Sequence, residues 1–204
     1  QHAAVLDKPP VLLVSRCQEV RGAPAYQLFA NVLQAYLKMI PAQELDESTC
    51  RLIGNFVSLV PEIQQGLPEG VIPPPLEPRQ EQRRLITSVT RFIEWATRQQ
   101  PWYIILDDVQ WADESSLRLL HYLGRYAPTM ALLIVGAYRN VELEQGLPLL
   151  QVLHDLRTLP EYHPLALERL SKDEVGHILN NLWQQPVPEA LVSKLCQHTE
   201  GNPF

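Results

Sequence analysis

Long apolar runs are missing from this sequence. No stretch approaches the roughly 20 uninterrupted apolar residues that cross a bilayer, and the first residues lack the basic and apolar regions of a secretory signal. The expectation is a soluble, cytoplasmic chain with no membrane partner. Cysteine is scarce as well. Cys17, Cys50 and Cys196 are odd in number, far apart and in no CxxC or metal-ligand spacing, which predicts reduced structural thiols. Clustered Lys/Arg runs are absent and the net charge is −6, so this segment is expected to make no direct contact with nucleic acid, whose binding needs phosphate neutralisation. The six histidines form no HExxH or other ligand spacing. None of the four lysines, Lys8, Lys38, Lys172 and Lys194, follows a glycine. The glycine-rich phosphate loop GxxxxGK[ST] therefore occurs nowhere in the chain.

What is present is enough apolar material for a fold. With 204 residues and 46% hydrophobic content, the chain can build one sizeable core, or one core plus a small satellite, and a disordered reading is excluded. Behind the breaker Pro9-Pro10, Val11-Leu-Leu-Val-Ser15 reads as a buried strand. Tyr26, Phe29, Val32, Leu33, Tyr36 and Leu37 recur at helical spacing, which predicts a helix over 26–39. Residues 41–78 read as an insertion with a moderate helical pattern near Leu52, Phe56 and Leu59, ending in the stiff connector Pro73-Pro-Pro75, an ordinary spacer. A second helix is predicted over 80–97 and closed by Pro101. The runs Tyr103-Ile-Ile-Leu106 and Ala131-Leu-Leu-Ile-Val135 flank a helix at about 115–126. Apolar runs alternating with helices predict parallel strands covered on both faces. A weaker strand signal lies at 162–167, and beyond it the chain reads as helical: Ser171-Lys-Asp-Glu174 fits a capping box, and a last helix runs from Pro188 towards Gly201, which suits a helix stop. No internal repeat is present.

The chemically most informative residues are Asp107 and Asp108, delivered by an apolar strand to its C-terminal edge, where open α/β sheets bind ligands. Two adjacent carboxylates repel unless a cation or water network offsets them, so one reading is a Mg2+ site. In the other, one aspartate caps the next turn and its neighbour is solvated.

The segment Asp107-Asp-Val-Gln-Trp-Ala-Asp-Glu-Ser-Ser-Leu117 closely resembles the extended Walker B segment of the STAND class of P-loop NTPases, particularly the AAA-like ATPase domains of large bacterial signalling proteins such as LuxR-type transcription regulators, adenylate cyclases and kinase-linked sensors. Four further stretches resemble that family in its order. Val14-Ser-Arg-Cys-Gln-Glu19 with Gly22-Ala-Pro-Ala-Tyr26 looks like the strand and loop after the P-loop helix, and Val135-Gly-Ala-Tyr-Arg139 like the sensor strand. Leu167-Glu-Arg-Leu-Ser171 resembles the entry to the lid, and Thr199-Glu-Gly-Asn-Pro-Phe204 the glycine-x-proline region near the nucleotide base.

The resemblance implies an α/β fold: a partial P-loop NTPase (ASCE-type) parallel sheet flanked by helices, followed by the start of a helical lid. Residues 1–168 would form the NTPase core lacking its first strand and P-loop, with 41–78 inserted, and 169–204 the start of the lid. It also implies ATP and Mg2+ as cofactors of the complete domain, with Asp107 holding the metal, Asp108 positioning the attacking water, Arg139 sensing the γ-phosphate, and Gly201 and Pro203 near the base. Trp111 is expected to anchor packing between sheet and helix, and Asp113 or Ser115 to cap a helix. Two features depart from the family's habit: Asp108 stands where many relatives have glutamate, and Ala137 where threonine is commoner. The missing phosphate loop reads as a chain that begins too late, which would leave an unsatisfied sheet edge beside the sensor strand. On this reading the parent protein binds ATP or ADP as a slow switch acting on other domains of the same chain, and this piece alone is inactive. The alternative is a non-catalytic NTPase scaffold that serves protein contacts.

Overall fold

The computed structural model describes residues 8–19, 22, 24–41, 44–139 and 148–202. They belong to two compact units, residues 1–162 and 163–204.

The first unit is built on a three-stranded parallel sheet of β1 (Val11–Arg16), β2 (Trp102–Asp107) and β3 (Leu132–Gly136), in that spatial order. Between β1 and β2 lie α1 (Gln27–Leu37), α2 (Glu47–Asn55) and α3 (Pro78–Gln99); α4 (Glu114–Tyr126) joins β2 to β3, and α5 (Pro148–Leu156) follows. Each crossover steps the same way along the sheet. Right-handed connections that all step one way put their helices on one face, and side-chain alternation sorts the strands accordingly. Val11, Leu13, Trp102, Ile104 and Leu106 are buried on the helical face. In the middle of that core Phe92 of α3 meets Phe56 and Tyr36 edge-on at 5.4 and 6.1 Å, and Tyr36 leans on Trp102 at 4.2 Å. Each such fully buried aromatic or aliphatic side chain contributes about 1.5–3 kcal/mol.

The expected cover on both faces is corrected by the structure. The opposite face carries two cross-strand rows, Leu12–Tyr103–Leu133 and Val14–Ile105–Val135, and Leu12, Val14, Leu133 and Val135 are 46–59% exposed. No described residue pairs with the outer edge of β3. The apolar sequence of the strands announces two buried faces, yet the one-way crossovers supply helices to only one.

Three other expectations change. The insertion 41–78 is no mere spacer: Ile53, Phe56 and Val60 are fully buried, α2 packs on α3, and a Cβ on Gly54 would sit 2.3 Å from the Val71 carbonyl oxygen. Its end is stapled to α3 by Arg84, which donates to the Pro74 carbonyl and grips Glu81 while Glu81 accepts the Leu76 N–H. Helix α5 was not anticipated, although Leu149, Leu153 and Leu156 recur at helical spacing and are buried against α4. The strand signal at 162–167 gives no strand, because Pro164 lacks an N–H and Leu165 and Leu167, 84% and 89% exposed, have no sheet to face.

The second unit holds α6 (Lys172–Trp183) and α7 (Glu189–Thr199). Ser171 and Glu174 form the expected reciprocal capping box. Among the described residues no helix is long and apolar enough to cross a membrane.

Candidate functional site

The parallel register ends β1 and β2 together, with Arg16 opposite Asp107. Asp107 closes β2 and Asp108 turns the chain out of it with φ 53°, a left-handed conformation that aspartate tolerates better than most residues. The turn is fixed locally: the Asp108 N–H donates to Asp107 Oδ1 at 3.0 Å, and the Val109 N–H donates to the Ala137 carbonyl beyond β3 at 3.0 Å. The two acids consequently face different surroundings. The Asp107 side chain is 45% exposed, whereas that of Asp108 is 14% exposed and ringed by donors.

Arg16 is the dominant partner. Its Nε and Nη2 both approach Asp108 Oδ2 at 2.8 Å, and its Nε lies 3.6 Å from Asp107 Oδ2. Gln110 Nε2 donates to Asp108 Oδ1 at 3.3 Å, and Arg139 Nε lies 3.8 Å from the same oxygen. Gln110 also accepts the Arg139 N–H at 3.3 Å, so one carboxamide bridges the turns after β2 and β3. The Arg16 hydrogen bond, ahead of Gln110 and Arg139, holds the Asp108 carboxyl below the usual carboxylate range against an opposing desolvation effect. Asp108 raises the Arg16 pKa in return. Cys17, whose N–H donates to the Asp107 carbonyl at 3.0 Å, has its thiol pushed up to about 11, first by burial and then by Asp113, Asp108 and Asp107.

Asp113 caps α4, and it does more. Its Oδ1 accepts both the Ser116 N–H and the Tyr26 N–H at 2.9 Å, while its Oδ2 accepts the Ser116 hydroxyl at 2.5 Å. Of the two residues expected to cap, Asp113 is the one used. Tyr26 itself starts α1 in a left-handed conformation, φ 63°. One carboxylate thus ties the start of α1 to the start of the helix that follows the acid pair. Trp111 is not the expected packing anchor: the 3-10 turn Val109–Trp111 buries Val109 and Gln110 and leaves Trp111 37% exposed.

Asp107, Asp108 and Arg139 therefore lie at one sheet edge; the strand pattern places the two acids there, whereas Arg139 was expected from the family resemblance. Gly201 lies in the second unit. There it has φ +75°, its carbonyl accepts the Leu170 N–H at 2.8 Å, and a Cβ would meet the Leu170 carbonyl oxygen at 2.3 Å. With the Arg169–Glu200 ion pair, this joins the 167–171 and 199–202 segments. Pro203 lies outside the described residues. Sequence reasoning missed Arg16 and Gln110. Arg16 could have been found by aligning the ends of two parallel apolar strands, since a charge closing β1 must stand beside one closing β2.

Mg2+ takes few protein carboxylates and keeps several waters, and the half-exposed Asp107 carboxylate fits that demand. Asp108, already held by two guanidinium groups, fits it less well. Among the described residues no group of three His, Cys, Asp or Glu side chains could hold a metal by itself, so phosphate oxygens or water would complete the shell.

Comparison with curated proteins and with solved structures gives no match. A protein-family model described as AAA ATPase domain matches residues 2–135, a span that takes in β1, the acid pair and β3 up to Val135. The members of that family bind nucleotide, ATP with Mg2+. A parallel sheet with paired acids at the C-terminal edge of its middle strand, matched by that model over well over half its length, makes this chain a member of the AAA ATPase domain family.

Proposed function

We propose that the chain is the Walker B and sensor portion of an ATP-dependent signalling switch, whose ATP- and ADP-bound states act on other domains of the same polypeptide. The observation that carries this reading is the convergence of Asp107, Asp108 and Arg139 at the end of β2 and β3, next to an edge with no described strand beside it. A strand bearing the phosphate loop and the helix after it would fill that edge and cover the rows from Leu12 to Val135, so the open surfaces support a domain that is completed by further sequence.

Mg2+-ATP, when bound, supplies a phosphoryl group that water can attack and a cation that screens its charge. Asp107 offers a hard oxygen ligand for the cation. Asp108 is ionised at neutral pH and can accept a hydrogen bond from the attacking water once Arg16 loosens. Arg139 offers a planar guanidinium to the γ-phosphate oxygens, and Gly201 with Pro203 would lie near the base. Asp108 is one methylene shorter than glutamate and is already engaged by Arg16, which favours slow switching over fast turnover. The free energy for the switch comes from different nucleotide affinities of the two states.

Calorimetric titration with Mg2+-ATP tests the reading, using this chain, a form extended upstream, and Asp107→Ala in the extended form. Binding by the extended form alone, weakened by Asp107→Ala, is expected. Absence of binding in both, with both folded, would favour a non-catalytic scaffold.

A further inference from the structure

Although the net charge is −6, one helix carries a stripe of arginines. Along α3, Arg79, Arg83, Thr87 and Arg91 follow one another at intervals of four residues. Four-residue steps keep side chains on one gently drifting stripe. This stripe borders α4. Arg79 and Ser115 line one shallow depression, Arg118 Nη1 reaches Gln82 Oε1 at 3.5 Å, and Thr87 lies beside the Tyr122 hydroxyl, with Arg91 near enough to act on it electrostatically. On α4, Arg118 and Tyr122, one turn apart, reach towards that stripe. Tyr122 and Tyr126 lean together at 4.8 Å with their hydroxyls 3.4 Å apart.

Four arginines, Arg79, Arg83 and Arg91 of α3 and Arg118 of α4, thus border one groove. Of these, Arg79, Arg83 and Arg91 are exposed and make no ion pair with any described residue. Arg118 is paired with Glu114 of its own helix, and Glu81 is held by Arg84. Between Arg118 and the α3 arginines the surface is mixed: Thr87 and Tyr122 meet there, Ile86 lies one turn on from Gln82, and all three are half-buried. None of these residues belongs to the Asp107–Asp108 cluster.

We propose that the α3–α4 groove is a docking surface for an acidic amphipathic helix of a protein partner. Arginines four residues apart are matched by carboxylates four residues apart on a facing helix, and guanidinium groups bind carboxylates in a two-pronged fashion that ammonium groups cannot. The stripe from Arg79 to Arg91 is about 18 Å long, the length of about 12 helical residues. An apolar stripe on the partner helix would cover Ile86 and the Tyr122 ring, a contact that a phosphodiester backbone has no group to make. Rim charges of this kind govern the association rate and its salt dependence.

The test uses the full chain and a synthetic helical peptide of about 16 residues with glutamates at i and i+4 and leucines along one face. Oligothymidylate and a peptide with glutamine in place of each glutamate are the comparisons. Binding is read by fluorescence anisotropy and mapped by backbone amide shifts. The glutamate peptide should bind, shift amides of 79–91 and 118–126, and weaken as salt is raised. Arg83→Glu with Arg91→Glu should lower its affinity about tenfold or more, Arg83→Gln with Arg91→Gln should lower it less, and Arg51→Glu on α2 should leave it unchanged. The Gln pair also serves if the Glu pair fails to fold. The proposal is overturned if the peptide does not bind, if either double substitution of a folded chain leaves its affinity unchanged, or if oligothymidylate binds more tightly.

Discussion

Replacing Asp113 by alanine should unfold the first unit more easily than loss of a helix cap alone would explain. The carboxylate satisfies the Ser116 N–H at the start of α4 and the Tyr26 N–H at the start of α1. Loss of an N-cap acceptor costs about 1 kcal/mol. Orphaning a second backbone N–H at a residue as buried as Tyr26, 7% exposed, adds about 1–3 kcal/mol. The expected destabilisation of Asp113→Ala is therefore about 2–4 kcal/mol. Asparagine keeps a side-chain carbonyl in place and caps helices as well as aspartate, so Asp113→Asn should cost under about 1 kcal/mol. Asp46→Ala, which removes the acceptor for Thr49 N–H at the start of α2 and no second helix, provides a single-cap comparison with a smaller loss. Urea unfolding followed by tryptophan fluorescence, with buried Trp102 as a reporter, gives all three values. Equal losses for alanine and asparagine, or an alanine loss no larger than that of Asp46→Ala, would refute the double role of this carboxylate.

Other outcomes follow from the same geometry. The depressed pKa of Asp108 means that its pairing contributes stability above the unfolded carboxyl value, about 4, and that this is lost as pH falls through the lower folded value. Asp108→Asn should flatten the acid limb of the stability profile, and Arg16→Gln should move the Asp108 carboxyl titration, followed by NMR, up towards the ordinary range. The Cys17 thiol, raised to about 11, favours the fold below its unfolded value and loses that contribution as pH climbs towards 11. Alkylation mapped by mass spectrometry should accordingly label Cys17 slowly at pH values near neutrality. Gly201→Ala places a Cβ 2.3 Å from the Leu170 carbonyl oxygen at φ +75°, which adds a clash to a left-handed penalty of about 1–2 kcal/mol. Faster amide exchange over 170–202, with β2 unchanged, is the expected result.

Wherever local pattern and packing agree, the fold could be read from sequence. The apolar runs at β1, β2 and β3, the helical spacing through Leu85, Val89 and Phe92, and the capping box at Ser171 all appear as elements. The acid pair was legible because strand direction alone sets Asp107 and Asp108 at the C-terminal edge. What escaped depends on contacts between distant residues. Arg16 and Asp108 are 92 positions apart and meet only through parallel pairing. Tyr26 and Asp113 meet across 87 positions, and no periodicity in either segment announces it. The insertion was undervalued because its prolines signal a connector, whereas Ile53 and Phe56 are determined by what α3 offers them. Trp111 failed because a short 3-10 turn, unlike a helix or strand, gives no period from which its inward side could be read.

The proposal that β3 pairs with a further strand in a longer form of the chain is tested most directly by amide exchange along β3. The Ala137 N–H donates to the Leu106 carbonyl; by the alternation of parallel ladders, the Leu133 and Val135 amides also face β2 while those of Leu132, Ile134 and Gly136 face outward. In this chain Leu133 and Val135 should be protected and Ile134 and Gly136 should exchange quickly. In the upstream-extended form Ile134 and Gly136 should become protected as well. Outward amides that exchange equally fast in a folded extended form would contradict the account.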